Sequence, residues 1–373
     1  MDIKKLEEVE KKKQTLALGG GAAAVEKLHA KGKLSASERM DKLFDPGTFR
    51  ELYRWAKPLK TGFDIDEIAS PRAGMVAGYG EIEGRAVYSA AFDFTVHGGS
   101  QNAMQMVKLG KVMQQAREEG VPFVGIVDSG GRQIQDLFGP WGLRPPTRLH
   151  GYEEAFDMFC PPMASGVIPQ VSLMLGPCYA GTAYSPIMSD FVFFRKETSF
   201  MSLASPALLK SVTFVDVTQD EIGGAVLHAT TTGSCDLLAE TDEEALAKCR
   251  QLLGFLPSNW REKPPFFDCG DAPNRREERL LEVVPGDPSK AYDIHQVISL
   301  LVDKGDFFEL AAMHAGNMVI GYARLAGQPV GIVANNPAVA DGAIDVNACD
   351  KAARFIRTCD CFSVPLLFLV DTP

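Results

Sequence analysis

The sequence has no CxxC pair, no HExxH, no G-x-S-x-G elbow and no Walker A loop, and its six histidines lie far apart. These absences remove the commonest signatures of a zinc site, a serine nucleophile and a P-loop. Cys359 and Cys361 are too close for paired zinc ligands, so no metal is expected. No apolar run approaches the span of a membrane helix, and the first residues, MDIKKLEEVEKKKQ, are charged where a secretory signal is apolar. Membrane insertion is therefore not expected, and the cytoplasm is the default compartment. Basic charge is scarce as well. Lys and Arg number 38 against 48 Asp and Glu, for a net charge of −10, which argues against nucleic acid as the main partner. The eight cysteines are scattered, several of them (Cys178, Cys349, Cys359) in apolar or helical stretches, and are expected to be reduced and buried.

What the chain does have is a long internal repeat. Met75 to Ser129 runs in register with Met318 to Thr372 at a constant offset of 243 residues, identical at fourteen of fifty-five positions without a gap. Leu43 to Leu52 (LFDPGTFREL) likewise mirrors Leu301 to Leu310 (LVDKGDFFEL). So long a period implies two related domains, not a short-repeat solenoid. Residues 1–262 are expected to form the first and 263–373 the start of the second, joined by the Pro- and charge-rich segment 259–288. The second copy stops after 56 residues, so if the copies are similar in size roughly 125 residues are missing and the chain reads as a C-terminally truncated fragment.

Periodicity predicts an exposed first helix over residues 1–15 and a second from Ser35, where Ser35 and Glu38 have capping-box spacing. Strands are expected at 75–79 and 85–94, turning at Glu83-Gly84, then a helix over 102–119 and a strand over 121–127. Strand, helix and strand recur at 171–175, 182–189 and 191–194, which gives an α/β fold with a mostly parallel sheet. Three strands end in glycine-rich loops: DFTVHGGS (93–100), DSGGRQIQ (128–135) and GPCYAGTAYSP (176–186). Glycine lets backbone N–H groups approach a ligand, and a following helix favours negative charge there, so together they suggest an oxyanion site.

HAKGKLSASERMDKLFDPGTF (29–49), DFTVHGGS, DSGG, ASGVIPQVSLMLGPC (164–178), YSP, DVTQDEIGGA (216–225) and KAYDI (290–294) together resemble the carboxyltransferase subunit of biotin-dependent acyl-CoA carboxylases, nearest to the propionyl-CoA carboxylase β type. The resemblance implies two crotonase-like (ClpP/crotonase) β-β-α superhelix domains. It implies transfer of a carboxyl group from carboxybiotin to the α-carbon, or a vinylogous position, of an acyl-CoA, with oxyanion holes and proximity replacing a catalytic triad. By the same resemblance the backbone N–H groups of Ala180 and Gly181 form the oxyanion hole. Gly98, Gly99, Ser129, Gly130, Gly131, Cys178, Tyr179 and Thr182 bind substrate. Partners would be biotin carboxyl carrier and biotin carboxylase subunits and further copies of the chain, as dimers within a hexamer. Biotin would come from a partner, because Gln105 stands at the lysine position of the Ala103-Met104-Gln105-Met106 sequence.

Three features depart from the family pattern. Ala180-Gly181 replaces paired glycines, Tyr179 and Thr182 replace small residues, and Phe138 to His150 adds a long stretch expected to shape the acyl pocket. The alternatives are the α subunit of a sodium-pumping decarboxylase, which runs the same chemistry in reverse, and a non-catalytic structural paralogue. A simple crotonase-type hydratase would need carboxylates that these loops scarcely offer.

Overall fold

A computed structural model describes residues 3–138, 160–272, 274–287 and 290–373. Most of the stretch from Phe138 to His150 thus lies outside the described residues. The chain divides into two compact units, Met1–Ala225 with Leu238–Ala247, and Val226–Leu237 with Lys248–Pro373.

In the first unit β1 (Arg50–Leu52), β2 (Met75–Ile82) and β3 (Arg85–Phe92) pair antiparallel. The β2–β3 turn puts Glu83 and Gly84 at φ of 51° and 73°, the doubly positive geometry that follows strand twist. Pairing is parallel from β3 through β4 (Phe123–Ser129) and β5 (Gln170–Tyr179) to β6 (Phe191–Arg195). β7 (Phe200–Ser202) joins the far end of β5, and β8 (Leu237–Ala239) follows β6 at the sheet edge.

The helices α1 (Ile3–Ala17), α2 (Ala22–His29) and α3 (Ala36–Leu43) precede the sheet, and α4 (Ala103–Glu119) links β3 to β4. Ser35 with Glu38 and Asn102 with Gln105 form reciprocal capping boxes at the starts of α3 and α4. α4 buries Leu109, Val112, Met113 and Ala116 against Met75, Ala77, Tyr88, Ala90 and Phe92. Each large apolar side chain so buried contributes roughly 1.5–3 kcal/mol. The parallel order brings the carboxyl ends of β3, β4 and β5, and hence all three glycine-rich loops, to one edge.

In the second unit β9 (Phe308–Leu310), β10 (Met318–Leu325) and β11 (Gln328–Asn335) pair antiparallel, and β12 (Leu366–Leu369) is parallel to β11. The helix Val346–Cys361 lies between β11 and β12 in sequence, as α4 lies between β3 and β4.

Three local expectations are corrected. α2 was not foreseen. The helix expected over 182–189 is instead a 3-10 turn, Ala180–Ala183, followed by only Tyr184–Ile187; Thr182 Oγ1 donates to Tyr179 O at 2.6 Å, and Pro186 has no N–H to extend a helix. Cys349 and Cys361 are exposed, because the helix Val346–Cys361 buries the stripe Ala348, Lys351, Ala352, Phe355, Cys359. Among the described residues no helix is long and apolar enough to cross a membrane.

Candidate active site

The three loops are fastened to one another by backbone. Gly130 N donates to Gly98 O at 2.9 Å, and Ser129 Oγ to Gly99 O at 2.8 Å. Gly131 N donates to Ser129 Oγ at 3.1 Å, while Gly131 O accepts from Gln101 N at 2.8 Å. Ser129 pairs with Cys178 across β4 and β5, and a Cβ on Gly131 would stand 3.3 Å from Tyr179 Cβ.

This geometry sorts the candidate residues into two kinds. Gly99, Ser129, Gly131, Cys178 and Thr182 are buried. Cys178 Sγ lies 3.3 Å from Thr182 Oγ1, whose hydroxyl closes the 3-10 turn. In this structure these five brace the loops, since their polar groups are occupied and their surfaces covered. Gly130 is exposed, but its N–H is likewise taken by Gly98 O. The residues left open are Gly98, Tyr179, Ala180 and Gly181.

Ala180 and Gly181 begin the 3-10 turn, where the first N–H groups have no intrahelical acceptor. The short helix that follows supplies little dipole, so their value as donors rests on orientation. Positive φ belongs to Ala180 (53°) and not to Gly181. An alanine there costs about 1 kcal/mol, a physical reason for the glycine expected at that place. A Cβ on Gly181 would meet nothing within 4 Å, so the backbone borders open space. Beside it the Tyr179 ring packs on Phe200 with centroids 4.8 Å apart, and its hydroxyl accepts from Gln219 Nε2. Burial raises the Tyr179 pKa, keeping the phenol neutral.

A buried ionic cluster holds the loops from below. Asp128 Oδ2 takes Lys33 Nζ at 2.6 Å and Arg39 Nη1 at 3.0 Å. Arg39 also donates through Nε to Asp242 Oδ2 at 2.8 Å and through Nη2 to Leu175 O at 3.2 Å, and Arg195 Nη1 lies 2.9 Å from Asp242 Oδ1. Burial lowers the Lys33 pKa against the pull of Asp128. Sequence reasoning placed Lys33 and Arg39 in a motif but gave them no role; two basic residues inside an otherwise amphipathic segment were the only signal. Gln105 is also buried, accepting from Asn102 N at 2.9 Å and donating to Gly74 O at 2.8 Å. No group of three or more His, Cys, Asp or Glu side chains suited to a metal ion occurs among the described residues.

The carboxyl transferase domain family matches residues 27–373. The methylmalonyl-CoA decarboxylase subunit alpha of Veillonella parvula is 43% identical over 99% of this chain and 70% of its own length. The propionyl-CoA carboxylase beta chain of Roseobacter denitrificans is 42% identical, again over 99% and 70%. Among solved structures, the transcarboxylase 12S hexamer assembly with methylmalonyl-coenzyme A and methylmalonic acid bound superposes with a TM-score of 0.93 at 40% identity, covering all of this chain and 71% of that one.

Proposed function

Because the chain belongs to the carboxyl transferase family, we propose that it is the carboxyltransferase component of a biotin-dependent acyl-CoA carboxylase, acting on the α-carbon of an acyl-CoA. The observation that carries this is the turn at Ala180 and Gly181, where the backbone borders open space beside a braced DSGG loop. Biotin, held by a partner carrier, supplies the carboxyl group and takes up the α-proton. Ala180 and Gly181 donate to the thioester oxygen as negative charge develops on it, and the ionic cluster at Asp128 keeps the donors in place. Gln105 has its side-chain oxygen committed to Asn102 N at the helix start and its nitrogen to Gly74 O before β2, in keeping with biotin arriving on another protein.

The strands β9 to β12 repeat the order and pairing sense of β1 to β4, which supports duplicated crotonase-like domains, the first within 1–262 and the second within 263–373. The hexamer described for the transcarboxylase relative supports a homo-oligomer here, working with biotin carboxyl carrier and biotin carboxylase subunits. The decarboxylase relative favours a second reading, the same transfer run in reverse. A catalyst accelerates both directions, so the partners set the flux. Co-purification with an ATP-using biotin carboxylase supports the first reading, and with a membrane subunit the second.

The site itself is tested by Gly181→Val, assayed as carboxyl transfer to propionyl-CoA by the protein with its co-purifying partners. Proline is a poor probe, because it disfavours helical backbone at the preceding residue and Ala180 is already left-handed. Valine enters open space, so the thermal midpoint should hold while displacement of the thioester lowers kcat/KM roughly 10²-fold. A variant that folds and turns over at the parental rate removes this turn from the active site, and a parental assembly inactive with every acyl-CoA tried leaves the structural paralogue.

A further inference from the structure

Ser70 Oγ is hydrogen-bonded to His97 Nε2, 27 residues further along the chain, and neither side chain has a part in the transfer chemistry above. The alternative acceptor for the hydroxyl, Ile68 O, stands at 3.3 Å. Both side chains are half-buried and line a cavity of about 870 Å³, so a small molecule can reach them. Burial lowers the His97 pKa from 6.5. The imidazole is therefore neutral at pH 7, the state in which it can take a proton from a hydroxyl.

Backbone conformation fixes the pair from both sides. After Ser70 and Pro71 the chain makes a left-handed turn at Arg72, Ala73 and Gly74, with φ of 55°, 54° and 77°. Three side chains of the α4 segment hold that turn: Lys108 Nζ donates to Arg72 O at 3.0 Å, Asn102 Nδ2 to Ala73 O at 3.1 Å and Gln105 Nε2 to Gly74 O at 2.8 Å. His97 itself sits at φ of 51°, a conformation uncommon outside glycine that persists only where the surroundings enforce it. In most serine hydrolases a carboxylate orients the imidazole. Here His97 Nδ1 has no hydrogen-bond partner among the described residues, so orientation falls to the backbone and to Ser70.

We propose that Ser70 and His97 form a nucleophile and base pair that hydrolyses acyl esters and thioesters, a second activity of the first unit beside carboxyl transfer. Ser70 Oγ attacks the acyl carbonyl carbon as its proton passes to His97 Nε2. The C–S or C–O bond then breaks, the leaving thiol or alcohol takes that proton, and the acyl group stays on Ser70 as an ester. Water attacks this ester, giving a proton to His97, and the carboxylic acid departs as Ser70 recovers the proton. One water is consumed for each acid and each thiol or alcohol released.

The purified protein should be labelled at Ser70 by a fluorophosphonate, whose phosphorus bonds to Oγ as fluoride leaves, and should hydrolyse 4-nitrophenyl acetate. Peptide mass mapping locates the adduct. Ser70→Ala should abolish the adduct and lower hydrolysis roughly 10²-fold or more. His97→Asn installs a residue that tolerates left-handed backbone but offers no base, so labelling and hydrolysis should fall by a similar factor while the thermal midpoint holds. In the parent, hydrolysis corrected for the uncatalysed rate should fade as pH drops through a midpoint below 6.5, the direction in which burial moves His97. That profile reads the base without requiring a variant to fold. Labelling only at other residues, hydrolysis that Ser70→Ala leaves unchanged, or a profile flat through that range overturns the pair. Neither probe contains biotin or CoA, so each of these outcomes leaves the carboxyl transfer reading standing.

Discussion

His97-Gly98-Gly99 and Ala340-Asp341-Gly342 follow nearly the same path with different side chains, at φ of 51°, 63° and 66° in the first unit and 49°, 53° and 71° in the second. Only the last position is glycine in both. There a Cβ would stand 2.1 Å from Asp128 O in one unit and 2.4 Å from Asp371 O in the other. At Gly98 a Cβ meets nothing within 4 Å, and Asp341 holds the equivalent conformation with its side chain in place. Close approach of backbone, more than positive φ, is what demands glycine in this loop. The aspartates that end the parallel strands diverge further. Asp128 is buried between Lys33 and Arg39, whereas Asp371 is exposed and accepts from Tyr292 Oη at 2.7 Å. One backbone plan thus carries an ionic lock in one place and a surface hydrogen bond in the other.

The largest test of that contrast is Arg39→Met, which removes one buried partner from each of Asp128 and Asp242 and should cost about 3–5 kcal/mol in urea denaturation. Asp371→Asn should stay within about 0.5 kcal/mol. Equal losses would mean that burial does not distinguish the two aspartates. Next in size are the glycines. Gly99→Ala and Gly342→Ala should each cost about 3 kcal/mol, combining left-handed strain with a clash against a carbonyl. Gly98→Ala should cost about 1 kcal/mol, and a Gly98 loss as large as that at Gly99 would return the requirement to φ alone.

A pH-dependent contrast concerns two lysines that occupy matching helix positions. Lys108 Nζ donates to Arg72 O and Met75 O at 3.0 and 2.5 Å, and Lys351 Nζ to His314 O at 2.7 Å. Burial pulls their pKa values from 10.5 to about 7 and about 8. A folded pKa below the unfolded one means the unfolded chain binds more protons, so stability rises with pH from each folded value toward 10.5. The rise should begin about one unit earlier for Lys108. Lys108→Met should remove the rise between pH 7 and 8 from a urea-midpoint profile, and Lys351→Met should keep that rise and make the profile shallower above pH 8. His295 works in the opposite sense. Its hydrogen bond to Glu309, with a second to Asp293, raises its pKa from 6.5 to about 9, so its contribution is complete below 6.5 and fades as pH passes 9. The lysine profiles are therefore best compared in a His295→Gln background.

Much of this was visible in the sequence where the determinants are local or periodic. The cap at Ser35 sits where its spacing to Glu38 put it, and the hairpin at Glu83-Gly84 and the loops at the ends of β3, β4 and β5 follow from glycine placement. What was illegible depends on contacts made at a distance. Nothing near Arg39 in sequence announces Asp128, 89 residues on. Whether Ser129 or Gly181 faces outward depends on which loop covers which, a matter of tertiary packing. The expected helix after Gly181 failed for a local reason that periodicity does not weigh, a threonine hydroxyl closing the turn first.

The ionic lock also sets a schedule for the nascent chain. Arg39 and Asp242 are separated by 203 residues, which a ribosome adding about 5–20 residues per second takes roughly 10–40 s to span. Throughout that interval the guanidinium destined for the interior has no Asp242 to meet, and closing the strand ends over it would bury a half-compensated cation. The last fastening of the rim that carries Ala180 and Gly181 is thus a residue translated well after every loop it secures.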